Sequence, residues 1–138
     1  MTNVRVSLRF VRPDPLATLP DTIGGKLRRC RLTRGLLQTD VARLIGVREE
    51  TVTKWENDYC EPPIPLMPAV IAFMGYDPYP AEPGYAARLK AKRRAMGWTI
   101  KQAAESLDIN EATWGMWERG ATTPSSALRV AVDRLLGK

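Results

Sequence analysis

Gly35-Leu36-Leu37-Gln38-Thr39-Asp40-Val41-Ala42-Arg43-Leu44-Ile45-Gly46-Val47, continuing through Arg48-Glu49-Glu50 into Thr51-Val52-Thr53-Lys54-Trp55-Glu56-Asn57, is the stretch on which the fold turns. Its first half predicts a short helix from Leu37 to Ile45, with Val41, Leu44 and Ile45 facing inward. Gly46 ends that helix, because glycine enters left-handed backbone without a steric cost. Its second half predicts a helix from Arg48 to Asn57, with Val52 and Trp55 as core contacts. Two helices joined through a glycine turn form a helix-turn-helix pattern. Upstream, Thr22 reads as an N-cap, and Ile23, Leu27 and Cys30 make the apolar stripe of a helix ending near Gly35. Downstream, Pro62, Pro63 and Pro65 stop the run. Leu66, Ala69, Val70, Phe73 and Met74 then predict a fourth helix, with Pro68 in its first turn.

The same text recurs 62 positions later. Thr51, Trp55 and Glu56 fall on Thr113, Trp117 and Glu118 without a gap. Leu27, Arg31, Gly35, Ala42, Glu49 and Pro62 fall on Leu89, Arg93, Gly97, Ala104, Glu111 and Pro124. A fixed-offset repeat has to be recognised before any fold is assigned. It divides the chain into an arm (1–20), a first unit (21–75), a Pro-rich linker (76–84) and a second, more divergent unit (85–138). In the second unit, helices are expected over Tyr85–Met96 and Thr99–Leu107, the latter with Thr99 as N-cap. Asn110 caps a third helix running to Arg119, and Gly120 ends it. Ser125 or Ser126 caps a last helix with Leu128, Val132, Leu135 and Leu136 inward. Trp55, Trp114 and Trp117 read as core, since aromatics dominate the packing of such small units. Residues 3–12 alternate Val4, Val6, Leu8 and Phe10 with polar residues, the period of a strand, and residues 1–20 read as an extended or disordered basic arm. The proline content of 76–84 suggests a stiff, extended spacer.

Arg31 with Glu56, and Arg93 with Glu118, recur at equivalent places. A partly buried ion pair tying the first helix of each unit to its third is the reading that explains both.

The 138 residues carry a net charge of +6. Residues 61–84 hold no Lys or Arg and three acids, while 85–138 hold ten bases and five acids. The basic excess concentrates in Lys26–Arg31 and Arg88–Arg94, the first helix of each unit. This distribution points to a polyanionic partner. There are two cysteines, Cys30 and Cys60, and no histidine, so the usual zinc-ligand sets are missing and no metal or cofactor is expected. No run is long and apolar enough to cross a bilayer, and a cytoplasmic, non-membrane location is the expectation. Nothing resembles a catalytic constellation, so an enzyme is not expected.

The run Gly35–Val47 followed by Thr51–Asn57 resembles the phage-repressor, Cro/C1-type (XRE) helix-turn-helix family. The resemblance spans about residues 22–75 and, more loosely, 85–137. It implies an all-α chain: two small lambda-repressor-like helix-turn-helix bundles in tandem, preceded by a short extended N-terminal arm. It implies a transcriptional regulator, a repressor, whose partner is double-stranded DNA and whose third helix enters the major groove. Carried over by position, the DNA-binding set is Gln38, Thr39, Arg48, Glu49, Glu50, Thr51, Thr53 and Lys54. Gln38 would meet a phosphate or brace the recognition helix. In the second unit the set is Lys101, Gln102, Asn110, Glu111 and Thr113, beside Ala112, Gly115 and Met116. Arg28, Arg29, Lys90 and Arg94 are candidates for phosphate contact. The chain would act as a monomeric pseudo-dimer or as a homodimer.

The recognition positions carry unusual chemistry. Glu49, Glu50 and Glu111 face where phosphates crowd, although a carboxylate can accept from cytosine N4. Ala112, Gly115 and Met116 offer no side-chain hydrogen bonds. The alternative reading is therefore a degenerate helix-turn-helix that binds another regulatory protein, in the manner of an antiactivator or antitoxin.

Overall fold

The computed structural model describes residue 16 and residues 18–137. The alternating segment 3–12 lies outside the described residues. Eight α-helices are found among them: α1 (Ile23–Thr33), α2 (Gln38–Ile45), α3 (Glu49–Glu56), α4 (Met67–Met74), α5 (Tyr85–Met96), α6 (Ile100–Ser106), α7 (Glu111–Glu118) and α8 (Ser126–Leu135). A 3-10 turn over Ile64–Leu66 leads into α4.

Local chemistry sets the helix boundaries. Thr22 Oγ1 accepts from the Gly25 N–H, and Ser125 Oγ from the Leu128 N–H. Thr99 and Gln102 cap reciprocally: Thr99 Oγ1 takes the Gln102 N–H while Gln102 Oε1 takes the Thr99 N–H. At α2 the box is one-sided, because Leu37 has no side-chain acceptor; only Asp40 Oδ2 receives the Leu37 N–H. The turn between α2 and α3 has Gly46 at φ 89°, and the turn between α6 and α7 places Asp108 at φ 55°. Asp tolerates this region better than most residues because its short side chain bonds locally.

The first core gathers Leu27, Val41, Ala42, Ile45, Val52, Trp55, Met67, Val70, Phe73 and Met74. Leu44 departs from its expected inward position and is 65% exposed. At 100° per residue, Val41, Ala42 and Ile45 form the buried stripe, which leaves Leu44 on the flank beside Ala69 and Phe73. α1 crosses α3 so closely that a Cβ on Gly24 would stand 2.0 Å from the Trp55 carbonyl oxygen. No side chain at position 24 fits that crossing. The second core is smaller: Leu89, Ala103, Ala104, Trp114, Trp117 and Val132. The two indoles lie 6.1 Å apart between centroids and tilted by 46°, within the range of favourable aromatic pairs.

The segment after α4 does not stand off as an extended spacer. It is pinned from both sides, because its polar groups find partners on α1 and α5. Lys26 Nζ donates to the Pro78 carbonyl at 2.8 Å, and Pro78 is buried. Asp77 receives Arg94 Nε at 3.0 and 3.2 Å, and the Arg94 guanidinium stacks 4.4 Å from the Tyr79 ring centre. Tyr79 in turn donates its hydroxyl to Glu61. α4 packs on α5, and Pro68 fills the space over Gly97, where a Cβ would approach to 2.8 Å.

Burial first, then the bond to Glu61, pushes the Tyr79 phenol up to about 12. In the unfolded chain it titrates near 10, roughly the model-peptide value. The folded state therefore holds its proton while the unfolded state loses it, and this contribution to stability, complete below pH 10, disappears as pH rises towards 12. Burial also raises the Tyr76 and Tyr85 phenols, so a spectrophotometric tyrosinate titration of the wild type should show more than one late phenol, and Tyr79→Phe should remove the component near 12. A wild-type titration with all phenols near their ordinary value would contradict the pinned segment.

Candidate nucleic-acid interface

α2 and α3 are held together from beneath by a polar network. Arg31 on α1 donates Nε to Glu56 Oε2 at 2.7 Å and Nη2 to Oε1 at 3.0 Å, a bidentate pair, and Nη1 to the Leu36 carbonyl at 3.0 Å. The Glu56 side chain is 1% exposed. Gln38 at the start of α2 gives its Nε2 to Glu56 Oε1 at 3.0 Å, and its Oε1 accepts from the Thr53 hydroxyl at 2.7 Å. Gln38 thus braces α3. Thr53, placed by sequence among the base-facing residues, is half-buried with its hydroxyl turned to Gln38. The reason is its position one turn after Glu49, on the side of α3 that faces α2.

The remaining α3 candidates are free to meet a partner. Arg48, Glu49, Glu50 and Lys54 are all exposed, and Arg48 lies 4.0 Å from Glu50. Thr39 and Thr51 are half-buried. Glu49 and Glu50 occupy the first turn of α3, where carboxylates suit the helix dipole. The four exposed side chains carry two positive and two negative charges, so this surface attracts phosphate weakly in sum.

Among the phosphate candidates, Arg29 and Lys90 are exposed. Arg28 is 44% exposed, 3.8 Å from Glu56. Arg94 is not available: its side chain is 15% exposed and committed to Asp77 and Tyr79. A basic run in sequence reads as one patch, but successive helical residues point 100° apart, and Arg94 points at the linker.

The second bundle reproduces the buried pair. Arg93 Nε meets Glu118 Oε2 at 2.6 Å, Nη2 meets Oε1 at 3.1 Å, and Nη1 reaches the Trp98 carbonyl at 3.3 Å. The brace differs. Where Gln38 and Thr53 stand in the first bundle, the second has Ile100 and Gly115. Neither can bridge α6 to α7, and the third donor to Glu118 is Trp114 Nε1 from within α7. An open groove of about 730 Å³ remains between α6 and α7, floored by Ile100, Ala104, Ile109 and Gly115. Lys101, Glu105, Glu111 and Arg119 stand on its rim with balanced charge. Asn110 Oδ1 caps α7 through the Ala112 N–H, and Gln102 caps α6. Both candidates thus serve the helix ends. Thr113 is half-buried, Ala112 exposed, and Met116 half-buried.

Three contacts were not legible as site features in sequence: the Trp114 bond to Glu118, the Tyr85 hydroxyl donating to Asp133 at 2.8 Å, and the Arg94–Asp77 pair. The spacing of Trp114 four residues before Glu118, one helical turn, was the available signal for the first. Among the described residues no group of His, Cys, Asp or Glu could hold a metal ion, and no helix is long and apolar enough to cross a membrane.

Residues 27–79 match the helix-turn-helix family model. The matched span runs from Leu27 in α1 through Tyr79 in the pinned segment and contains all of α2, α3 and α4. The match covers less than half of the chain, and makes this part of it similar to a helix-turn-helix family of DNA-binding transcription regulators. Searches of curated proteins and of solved structures return no match.

Proposed function

We propose that this chain is a transcriptional repressor that sets α3 in the major groove of duplex DNA, and that residues 85–138 form a second, divergent copy of the same unit. The supporting observation is the division of labour on α3. Its inner side is tied to α1 and α2 through Glu56, Gln38 and Thr53, while Arg48, Glu49, Glu50 and Lys54 stand free on the outer side. A rigid helix with adaptable polar side chains is what base reading requires. Lys54 and Arg48 supply donors for guanine or phosphate, and Glu49 or Glu50 an acceptor for cytosine N4. The second copy adds backbone contacts rather than base reading, since Ala112 and Gly115 offer no side-chain hydrogen bonds.

The test is fluorescence anisotropy with duplex flanking the protein's own gene and with scrambled duplex, at several salt concentrations. The flanking duplex should bind more tightly. Lys54→Ala should weaken that binding by about 1–3 kcal/mol and leave the scrambled duplex nearly unaffected. Equal loss on both duplexes would reduce Lys54 to a phosphate contact. No preference for the flanking DNA would remove the base-reading role of α3 at that site.

One observation favours a second reading for residues 85–138. The groove left by Ile100 and Gly115 has an apolar floor and a charge-balanced rim, which suits a peptide side chain better than a phosphate backbone. On this reading the second bundle recruits another regulatory protein while the first holds DNA.

A further inference from the structure

Tyr85 opens α5, and its ring has two guanidiniums beside it. Arg88, one turn along α5, and Arg129 on α8 each place their guanidinium carbon 5.1 Å from the ring centre. The phenol donates to Asp133, also on α8, which orients the ring and engages one oxygen of that carboxylate. Among the described residues neither Arg88 nor Arg129 has a carboxylate within ion-pair distance, whereas Arg28, Arg31, Arg93 and Arg94 on α1 and α5 each do. Arg34 is satisfied by the carbonyls of Phe73 and Met74. The sequence of α5 contains no acid at all.

Two like charges gathered at one ring repel each other. Stacking on the ring face offsets part of that cost and holds both side chains in place. Such an arrangement gains most when an anion neutralises it, and planar guanidiniums held in fixed positions match phosphate oxygens. Each being 5.1 Å from the same point, the two guanidinium carbons stand no more than about 10 Å apart. Phosphates recur along one DNA strand about every 3.4 Å of helix axis, so that reach covers successive phosphates of one strand.

We propose that Arg88 and Arg129, stacked on Tyr85, form a phosphodiester clamp for the DNA backbone, built on α5 and α8 and separate from the α3 surface. The clamp deepens the DNA-binding reading and rests on it. It takes over the role that the sequence gave to Arg94, and it reads no bases. It explains why α8 closes the second bundle with a basic residue beside the aromatic rather than with an apolar one.

The full-length chain is titrated with a random-sequence duplex across a salt series, alongside Arg88→Ala/Arg129→Ala, Arg88→Lys/Arg129→Lys and Lys54→Ala. The arginine Nε–Hε resonances are followed by NMR in the wild type. Each lost phosphate contact lowers the slope of log K against log salt by about 0.9. The double alanine variant should therefore lose about 1.8 from the slope. The double lysine variant should retain most of it, and the Arg88 and Arg129 resonances should shift on binding. A duplex that binds with an unchanged slope, and with shifts confined to α1–α3, overturns the clamp and leaves the reading of α3 intact. No binding of any duplex at low salt overturns both. The clamp residues are on the surface, and matched thermal melting of the variants separates lost contacts from lost fold.

Discussion

Glu56→Ala should cost the first bundle about 3–5 kcal/mol, the range for removing one partner of a fully buried ion pair. Against total stabilities of roughly 5–15 kcal/mol for whole domains, that is a large fraction for a unit of this size. The carboxylate is nearly inaccessible, and four donors converge on it or close to it: Arg31 Nε and Nη2, Gln38 Nε2 and, at 3.8 Å, Arg28 Nε. Alanine strips the guanidinium of Arg31 of its counter-charge where water cannot easily replace it. Gln38 loses a partner too, so α2 loosens from α3. The cost arises from the unpaired charge rather than from the pair's own net worth. Arg31→Met combined with Glu56→Leu should therefore be far milder than Glu56→Ala alone. Urea denaturation of the three proteins decides the matter. A Glu56→Ala midpoint equal to wild type would exclude a structural role for the pair, and a double variant as unstable as the single would locate the effect in packing instead.

Trp114→Ala should be as damaging to the second bundle, about 3–5 kcal/mol for a buried tryptophan truncated in place. Trp114 is wholly buried and is one of two tryptophans in a core of six residues, two of which are alanines. The cavity is hard to refill from within that core, because Ala103 and Ala104 are short and Trp117 already packs against the lost ring. The indole N–H to Glu118 goes as well. Amide hydrogen exchange should show α6, α7 and α8 losing protection while α1, α2 and α3 keep theirs, the expectation for two domains with separate cores. Uniform loss along the whole chain would instead mean that the two cores unfold as one.

Much of this architecture was legible in the sequence, for reasons visible at particular residues. Gly46, Thr22, Thr99, Asn110 and Pro68 mark helix ends by local chemistry that needs no tertiary context, so boundaries read from them fall within a residue or two of the structure. The Arg31–Glu56 and Arg93–Glu118 pairs were legible because they recur at a fixed offset. What depended on direction around a helix was read less well. Leu44 satisfies an apolar count but sits on the flank of α2, and Arg94 belongs to a basic run while pointing at Asp77. Thr53 has the right spacing for a base contact, yet Gln38 takes its hydroxyl. The strap at Asp77–Tyr79 was invisible because proline content reports stiffness, not where a stiff segment lies.

The packing of α4 on α5 has a consequence for symmetry. The first bundle contributes its fourth helix to this contact and the second bundle contributes its first. A twofold axis would demand the reciprocal contact, α1 on α8, and no contact of that size joins those two helices, so the contact is heterologous. Palindromic operators mirror twofold proteins. A duplex engaged by both bundles of one chain would instead be asymmetric: one base-read site for α3, and beside it a stretch held only by its backbone. Scrambling that flanking stretch should then leave affinity nearly unchanged, whereas removing it should weaken binding.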